Sequence, residues 1–127
     1  MSEKKLSPEQ EEAVYFPKTG HGQTTEAAQS HLVIEAGAGA GKTTLLTERV
    51  AWRLLGSNAQ FRIDPQDMIL VTFSRAAEEE LSTRIEKRLR QEKLPDEQLE
   101  RVLGRLHVST IDSLFTQLSN NLFPIWW

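Results

Sequence analysis

The residues best suited to chemistry form one short run, Ala36-Gly37-Ala38-Gly39-Ala40-Gly41-Lys42-Thr43. It ends in Gly-Lys-Thr, follows an apolar triplet and opens a segment of helical periodicity. Phosphate oxygens need several backbone N–H groups aimed at one point, and glycines let a chain wrap that closely. A helix starting at the last glycine adds roughly half a positive charge at its N-terminus. In such a loop Lys42 reaches the β- and γ-phosphates and the Thr43 hydroxyl ligates Mg²⁺. The strict pattern has glycine at its first position, where this chain has Ala36. A flexible Gly/Ala linker is the bland alternative, but such linkers rarely end in Gly-Lys-Thr at a strand-to-helix junction.

The elements that must position this loop can be read from periodicity. Leu32-Val33-Ile34 predicts a short buried strand. A helix is expected from about Gly41 to Leu55, with Leu46, Val50 and Leu54 on its buried face and Gly56-Ser57-Asn58 as its stop. Upstream, Ser7-Pro8-Glu9-Gln10 reads as a helix start: Ser7 caps, Pro8 suits the first turn, and Gln10 sits where a capping box needs it. The stretch from Pro17 to Ser30 is rich in small polar residues and glycine and reads as a loop. Met68-Ile69-Leu70-Val71-Thr72-Phe73 predicts a second strand. The helix after it runs from about Arg75 to Gln91, with Ala77, Leu81, Ile85 and Leu89 on one face. Leu94-Pro95 ends that helix, and Asp96 is expected to cap a shorter one to about Leu103. His107-Val108-Ser109 predicts a third strand, followed by a helix from Asp112 to about Leu122. Strands alternating with helices imply an α/β fold, a parallel sheet with right-handed crossovers that binds ligands at the carboxyl ends of its strands.

Composition narrows the function. The chain has 127 residues, which suits one domain. Its charge is −3, with 15 Lys+Arg against 18 Asp+Glu, so any nucleic-acid contact must be local rather than a basic slab. The absence of cysteine excludes disulfides, thiolate metal sites and a cysteine nucleophile. His21, His31 and His107 lie far apart without metal-ligand spacing. No apolar run approaches the ~20 residues of a membrane span, so a cytoplasmic protein with no membrane partner is expected. Arg84, Lys87, Arg88 and Arg90 lie among acids on one helix, which reads as a solvated face; bordering a nucleic-acid channel is the alternative.

The stretch Glu35 to Leu46, EAGAGAGKTTLL, resembles the first ATPase motif of UvrD/Rep-type superfamily 1 DNA helicases, which also tend to have Ala at its first position. Leu6 to Val14, LSPEQEEAV, is similar to that family's Q motif, whose glutamine reads the adenine edge; Gln10 is the matching residue. An amide donates and accepts at once, as adenine requires. Taken by itself, Gln10 serves equally as the partner of Ser7 in a capping box. Leu70 to Ile85, LVTFSRAAEEELSTRI, resembles motif Ia, a strand end and helix start that contacts single-stranded DNA, with Thr72, Phe73, Ser74 and Arg75 at the turn. Arg75-Ala76 stand where UvrD/Rep proteins usually have Asn-Lys, closer to the nuclease-helicase branch typified by RecB and AddA. Val108 to Phe115, VSTIDSLF, resembles the next DNA-contacting motif, with Asp112 in place of a common His. A carboxylate repels phosphate, so Thr110 is the better contact and Asp112 is expected to cap the helix or bond a neighbour.

The resemblance implies an incomplete P-loop NTPase (RecA-like) fold over residues 1–127, the N-terminal part of a first motor domain. It implies ATP and Mg²⁺ as cofactors, bound by Gln10, Ala36, Gly37, Ala38, Gly39, Ala40, Gly41, Lys42, Thr43 and Thr44, with Lys42 and Thr43 catalytic. Single-stranded DNA would meet Thr72, Phe73, Ser74, Arg75 and Thr110. The remainder of the helicase motor, with its second motor domain, and a nuclease subunit or domain are the implied partners, in DNA repair or recombination. No later Asp-Glu pair follows an apolar strand, and Glu78-Glu79-Glu80 sits early in a helix where acids suit the dipole. A truncated chain is therefore expected, inactive alone; terminal tryptophans Trp126 and Trp127 packed back on the sheet of an intact small protein is the alternative. A free-standing, non-catalytic nucleotide- or DNA-binding module derived from a helicase is the competing function.

Overall fold

The computed structural model describes residues 5–16, 32–35, 41–57 and 59–122. The expected loop from Pro17 to Ser30, His21, His31, the glycine-rich residues 36–40 and the terminal tryptophans lie outside them. Two compact units, Met1–Arg62 and Ile63–Trp127, make up the chain.

The first unit pairs two helices. Helix α1, Pro8–Tyr15, begins with the expected capping box: Ser7 Oγ accepts from Gln10 N at 3.2 Å, and Gln10 Oε1 accepts from Ser7 N at 2.9 Å. Helix α2, Lys42–Leu55, buries Leu45, Thr47, Val50, Ala51 and Leu54. Leu46, expected on the buried face, is instead exposed. A strict four-residue repeat advances about 40° beyond each full turn, so it drifts off a stripe that follows 3.6 residues per turn, here Thr47, Val50, Ala51 and Leu54. Arg49 and Trp52, on another side of α2, meet α1. The Tyr15 and Trp52 rings meet edge-on at 5.7 Å, and Trp52 stacks on Phe61 at 5.6 Å. Phe61 is buried in the short 3-10 turn Ala59–Phe61. Gly56 ends α2 against this cluster, where a Cβ would stand 2.5 Å from the Trp52 carbonyl oxygen.

Leu32-Val33-Ile34 is not the buried strand its composition predicts. It is in no strand, and Val33 is 82% exposed. A parallel strand is buried by its neighbours, and among the described residues this run has no paired strand.

The second unit is a βαβ arrangement. Strand β1, Ile69–Thr72, leads into helix α3, Arg75–Arg90. Helix α4, Asp96–Arg105, follows, then strand β2, His107–Thr110, and helix α5, Ile111–Leu122. The strands pair in parallel, Ile69 with His107, Leu70 with Val108, Val71 with Ser109 and Thr72 with Thr110. The fold is thus α/β with a small two-stranded parallel sheet and flanking helices. Phe73 falls just outside β1, in the turn. Leu81, Ile85 and Leu89 form the buried face of α3 and, with Leu70, Leu99 and Val102, supply the apolar core. Asp96 does not cap α4: Pro95 occupies the N-cap, and Asp96 enters the first turn, where its charge suits the dipole. The exposed side of α3 carries the ion pairs Glu80–Arg84 and Glu86–Arg90, and half-buried Arg88 pairs with Glu92 just past the helix end, each pair four residues apart. That pairing matches a solvated face. Helix α5 leaves Ile111, Phe115 and Leu118 exposed along one side.

Two stability outcomes follow. Leu89, fully buried, should cost about 2–5 kcal/mol on truncation to Ala. Gly56→Ala should cost about 1–3 kcal/mol, because the added methyl overlaps backbone rather than a movable side-chain tip. Urea titrations followed by circular dichroism check both; an unchanged midpoint for Gly56→Ala would show that the helix end relaxes freely.

Candidate functional site

In the first unit, chemistry gathers at the start of α2. Gly41 is its N-cap with φ +78°, a left-handed conformation that glycine adopts without strain. No side chain caps this end, so the amides of Lys42 and Thr43 have no intrahelical partner and point out of the helix start. Lys42 is exposed and Thr43 half-buried. Thr47 Oγ1 donates to the Thr43 carbonyl at 2.7 Å, one turn along. The Gln10 amide lies close by: a Cβ on Gly41 would sit 3.7 Å from Gln10 Nε2. Gln10, Gly41, Lys42, Thr43 and Thr44 therefore share one region of this unit, whereas Ala36 to Ala40 lie outside the described residues.

The helix that carries Gln10 is tied to α2 by a residue that the sequence alone did not single out. Arg49, on the α1-facing side of α2, donates from Nη1 to the carbonyls of Ala13 at 3.1 Å, Val14 at 3.1 Å and Phe16 at 2.6 Å. These are the C-terminal acceptors of α1, which carries no basic residue in its own last turn. Burial, and then the neighbouring Arg53, lower the guanidinium pKa from its ordinary value. The only signal in the sequence was an arginine one turn from Leu45 on a helix that also buries a second face.

In the second unit, the parallel register sets the ends of both strands at one edge. Thr72 and Thr110 are register partners there, and α3 and α5 both start from that edge. Thr72 Oγ1 donates to the Ser74 carbonyl at 3.2 Å. Ser74 Oγ caps α3, accepting from Ala77 N at 3.2 Å. Phe73 is 92% exposed and Arg75 is exposed beside it. Thr110 is buried; its hydroxyl donates to Ser113 Oγ at 3.0 Å and accepts from Ser113 N at 3.2 Å. Thr110, rather than Asp112, thus holds the start of α5, and Asp112 lies exposed in the first turn. One residue in from this edge, Ser109 Oγ is buried with no hydrogen-bond partner among the described residues, as is His107 Nε2 farther along β2. No group of three His, Asp or Glu among the described residues could hold a metal ion, and no helix among them is long and apolar enough to cross a membrane.

The two caps are separable from any ligand role. Ser74→Ala and Thr110→Val should each lower stability by about 0.5–2 kcal/mol, and the losses should add if the two helix starts are independent. A double-variant thermal melt measures this.

Comparison with known proteins identifies the family. The family model for the UvrD/REP helicase N-terminal domain matches residues 18–122. An ATP-dependent helicase/nuclease subunit of Lactococcus lactis subsp. cremoris is 32% identical over 126 residues, 92% of this chain and 9% of the relative. Its counterpart of the same name from Lachnoclostridium phytofermentans is 32% identical over 110 residues, 82% of this chain and 8% of the relative. "DNA helicase IV" of Escherichia coli is 41% identical over 61 residues, 48% of this chain and 8% of the relative. The chain thus spans less than a tenth of the length of these relatives, and its likeness to the helicase/nuclease proteins is consistent with the AddA-like branch. The chain belongs to the UvrD/REP helicase N-terminal domain family.

Proposed function

We propose that residues 1–127 are the ATP-binding segment of the first motor domain of an ATP-dependent DNA helicase or helicase-nuclease acting in repair or recombination. The observation that carries this reading is the start of α2: a left-handed Gly41 leads directly into exposed Lys42, with the Gln10 amide beside it. These residues fit a nucleotide. An uncapped helix start offers amide donors and positive potential to phosphate oxygens. Lys42 would supply a full charge to the β- and γ-phosphates, and the rest of the phosphate loop is assigned to Ala36–Ala40, which lie outside the described residues. The Thr43 hydroxyl would hold Mg²⁺, which neutralises phosphate charge when bound. Gln10 keeps a second lone pair on Oε1 after accepting from Ser7, and its Nε2 protons have no partner among the described residues, so the amide can both accept from and donate to adenine.

The edge formed by Thr72, Phe73, Ser74, Arg75 and Thr110 is the reading's DNA-facing part. Phe73 offers an aromatic face for a base and Arg75 a charge for a phosphate. Thr110 acts there by fixing the start of α5, since its hydroxyl is already engaged. In the whole protein, hydrolysis between this domain and a second motor domain would drive movement along single-stranded DNA.

The chain should bind Mg·ATP weakly and turn it over negligibly. Lys42→Ala should weaken binding about ten- to a hundredfold, the worth of one charge-assisted contact. Titration calorimetry with the purified chain reads this; equal affinities for the two proteins would sink the assignment. In the full-length protein the same substitution should abolish DNA-stimulated ATPase.

A further inference from the structure

We infer that Arg49 is the positioning residue that sets base selectivity, by holding the Gln10 amide at a fixed place beside the start of α2. This rests on the nucleotide reading above. Helix α1 has eight residues, too short to be stable without tertiary partners. Its attachments to α2 cluster at its C-terminal end: the buried Val14, the Tyr15–Trp52 edge contact and the Arg49 hydrogen bonds. Gln10, the residue that would meet the base, lies three positions before Ala13, about 4.5 Å along the axis at about 1.5 Å per residue. Any tilt of α1 about its anchored end therefore moves Gln10 relative to Gly41.

Arg49 is suited to prevent that tilt. One nitrogen engages carbonyls of three different residues, Ala13, Val14 and Phe16, so rotation or sliding of α1 breaks at least one bond. The guanidinium places positive charge at the negative end of the α1 dipole, and charge-assisted bonds of this kind are stronger than neutral ones. Seven positions separate Arg49 from Lys42 on α2, roughly 10 Å of rigid helix. The same helix thus carries the phosphate-side lysine at one end and the clamp on the base-side helix in its middle.

Placement matters because adenine and guanine differ where the Gln10 amide would meet them. Both bases have an N7 acceptor, but adenine has an amino donor where guanine has an O6 acceptor. The capping box with Ser7 fixes which way the amide faces on α1, but only a helix held in place brings its Oε1 to that position consistently; one that tilts moves the amide out of reach and loses the distinction between the bases. A role limited to stability would behave differently. Partial unfolding scales the apparent affinity for every nucleotide by the same competent fraction, which cancels in the ratio of two affinities.

The test is the ratio of Mg·ATP to Mg·GTP affinity, measured by calorimetry on the chain and on Arg49→Lys, Arg49→Met, Gln10→Ala and the Arg49→Met/Gln10→Ala double variant. The wild type should prefer ATP. Arg49→Met should lower the ratio about as far as Gln10→Ala does, roughly five- to tenfold, with no further loss in the double variant, as expected for residues acting as a unit. Arg49→Lys, which keeps the charge but not the planar fork, should fall between and remains informative if Arg49→Met fails to fold. Equal weakening of both nucleotides at an unchanged ratio would overturn the inference, as would a wild type without preference. Lys42→Ala serves as the separate control: if it binds ATP as well as the wild type does, the nucleotide reading itself has failed, and this inference with it.

Discussion

Parallel pairing of β1 with β2 is the constraint on which the second unit depends. Two parallel strands cannot be joined by a hairpin, so the chain must cross back through intervening elements before it can pair. Here α3 and α4 make that return. The consequence is directional: both strands end at the same edge, and the helix after each begins there. Ser74 and Thr110, far apart in the chain, become equivalent caps at neighbouring positions. Because side chains alternate along a strand, a register slip of one residue would turn Thr110 to the other face and uncouple α5 from its cap.

The first unit solves a different problem with a different interaction. A two-turn helix carries four orphan carbonyls at its end and little apolar surface with which to dock. Arg49 answers both needs, satisfying carbonyls of α1 and tying it to α2. In the same unit the Tyr15, Trp52 and Phe61 rings pack together, and Gly56 leaves room where a Cβ would crowd Trp52. Burial desolvates the guanidinium, the larger cause of its lowered pKa, and the neighbouring Arg53 adds to it. Helix α1 carries the segment that resembles the Q motif, and α2 opens at the end of the run that resembles the phosphate loop.

Local signals were legible in the chain wherever they depended on neighbours in sequence. The capping box of Ser7 and Gln10, the stripe of Leu81, Ile85 and Leu89, and the break at Leu94-Pro95 all behave as short-range chemistry dictates. Leu32-Val33-Ile34 was misleading because apolar composition states a preference for burial, whereas a strand also requires another strand beside it. Leu46 was misplaced because four-residue spacing imitates, but does not follow, the helical period. Asp112 looked like the cap of α5, yet the cap is set by where the strand ends, and β2 runs one residue past the predicted Ser109 to Thr110.

By itself, then, the chain determined its family and the types and limits of most helices, because motif order and capping are written in consecutive residues. Tertiary structure alone decided that Thr72 and Thr110 share an edge, that Thr110 is buried and engaged, and that Arg49 clamps the helix bearing Gln10. The shared edge and the clamp join residues more than thirty positions apart. Nothing in the spacing of such residues specifies their contact; it arises only when buried surface and unsatisfied carbonyls from distant segments must be accommodated together.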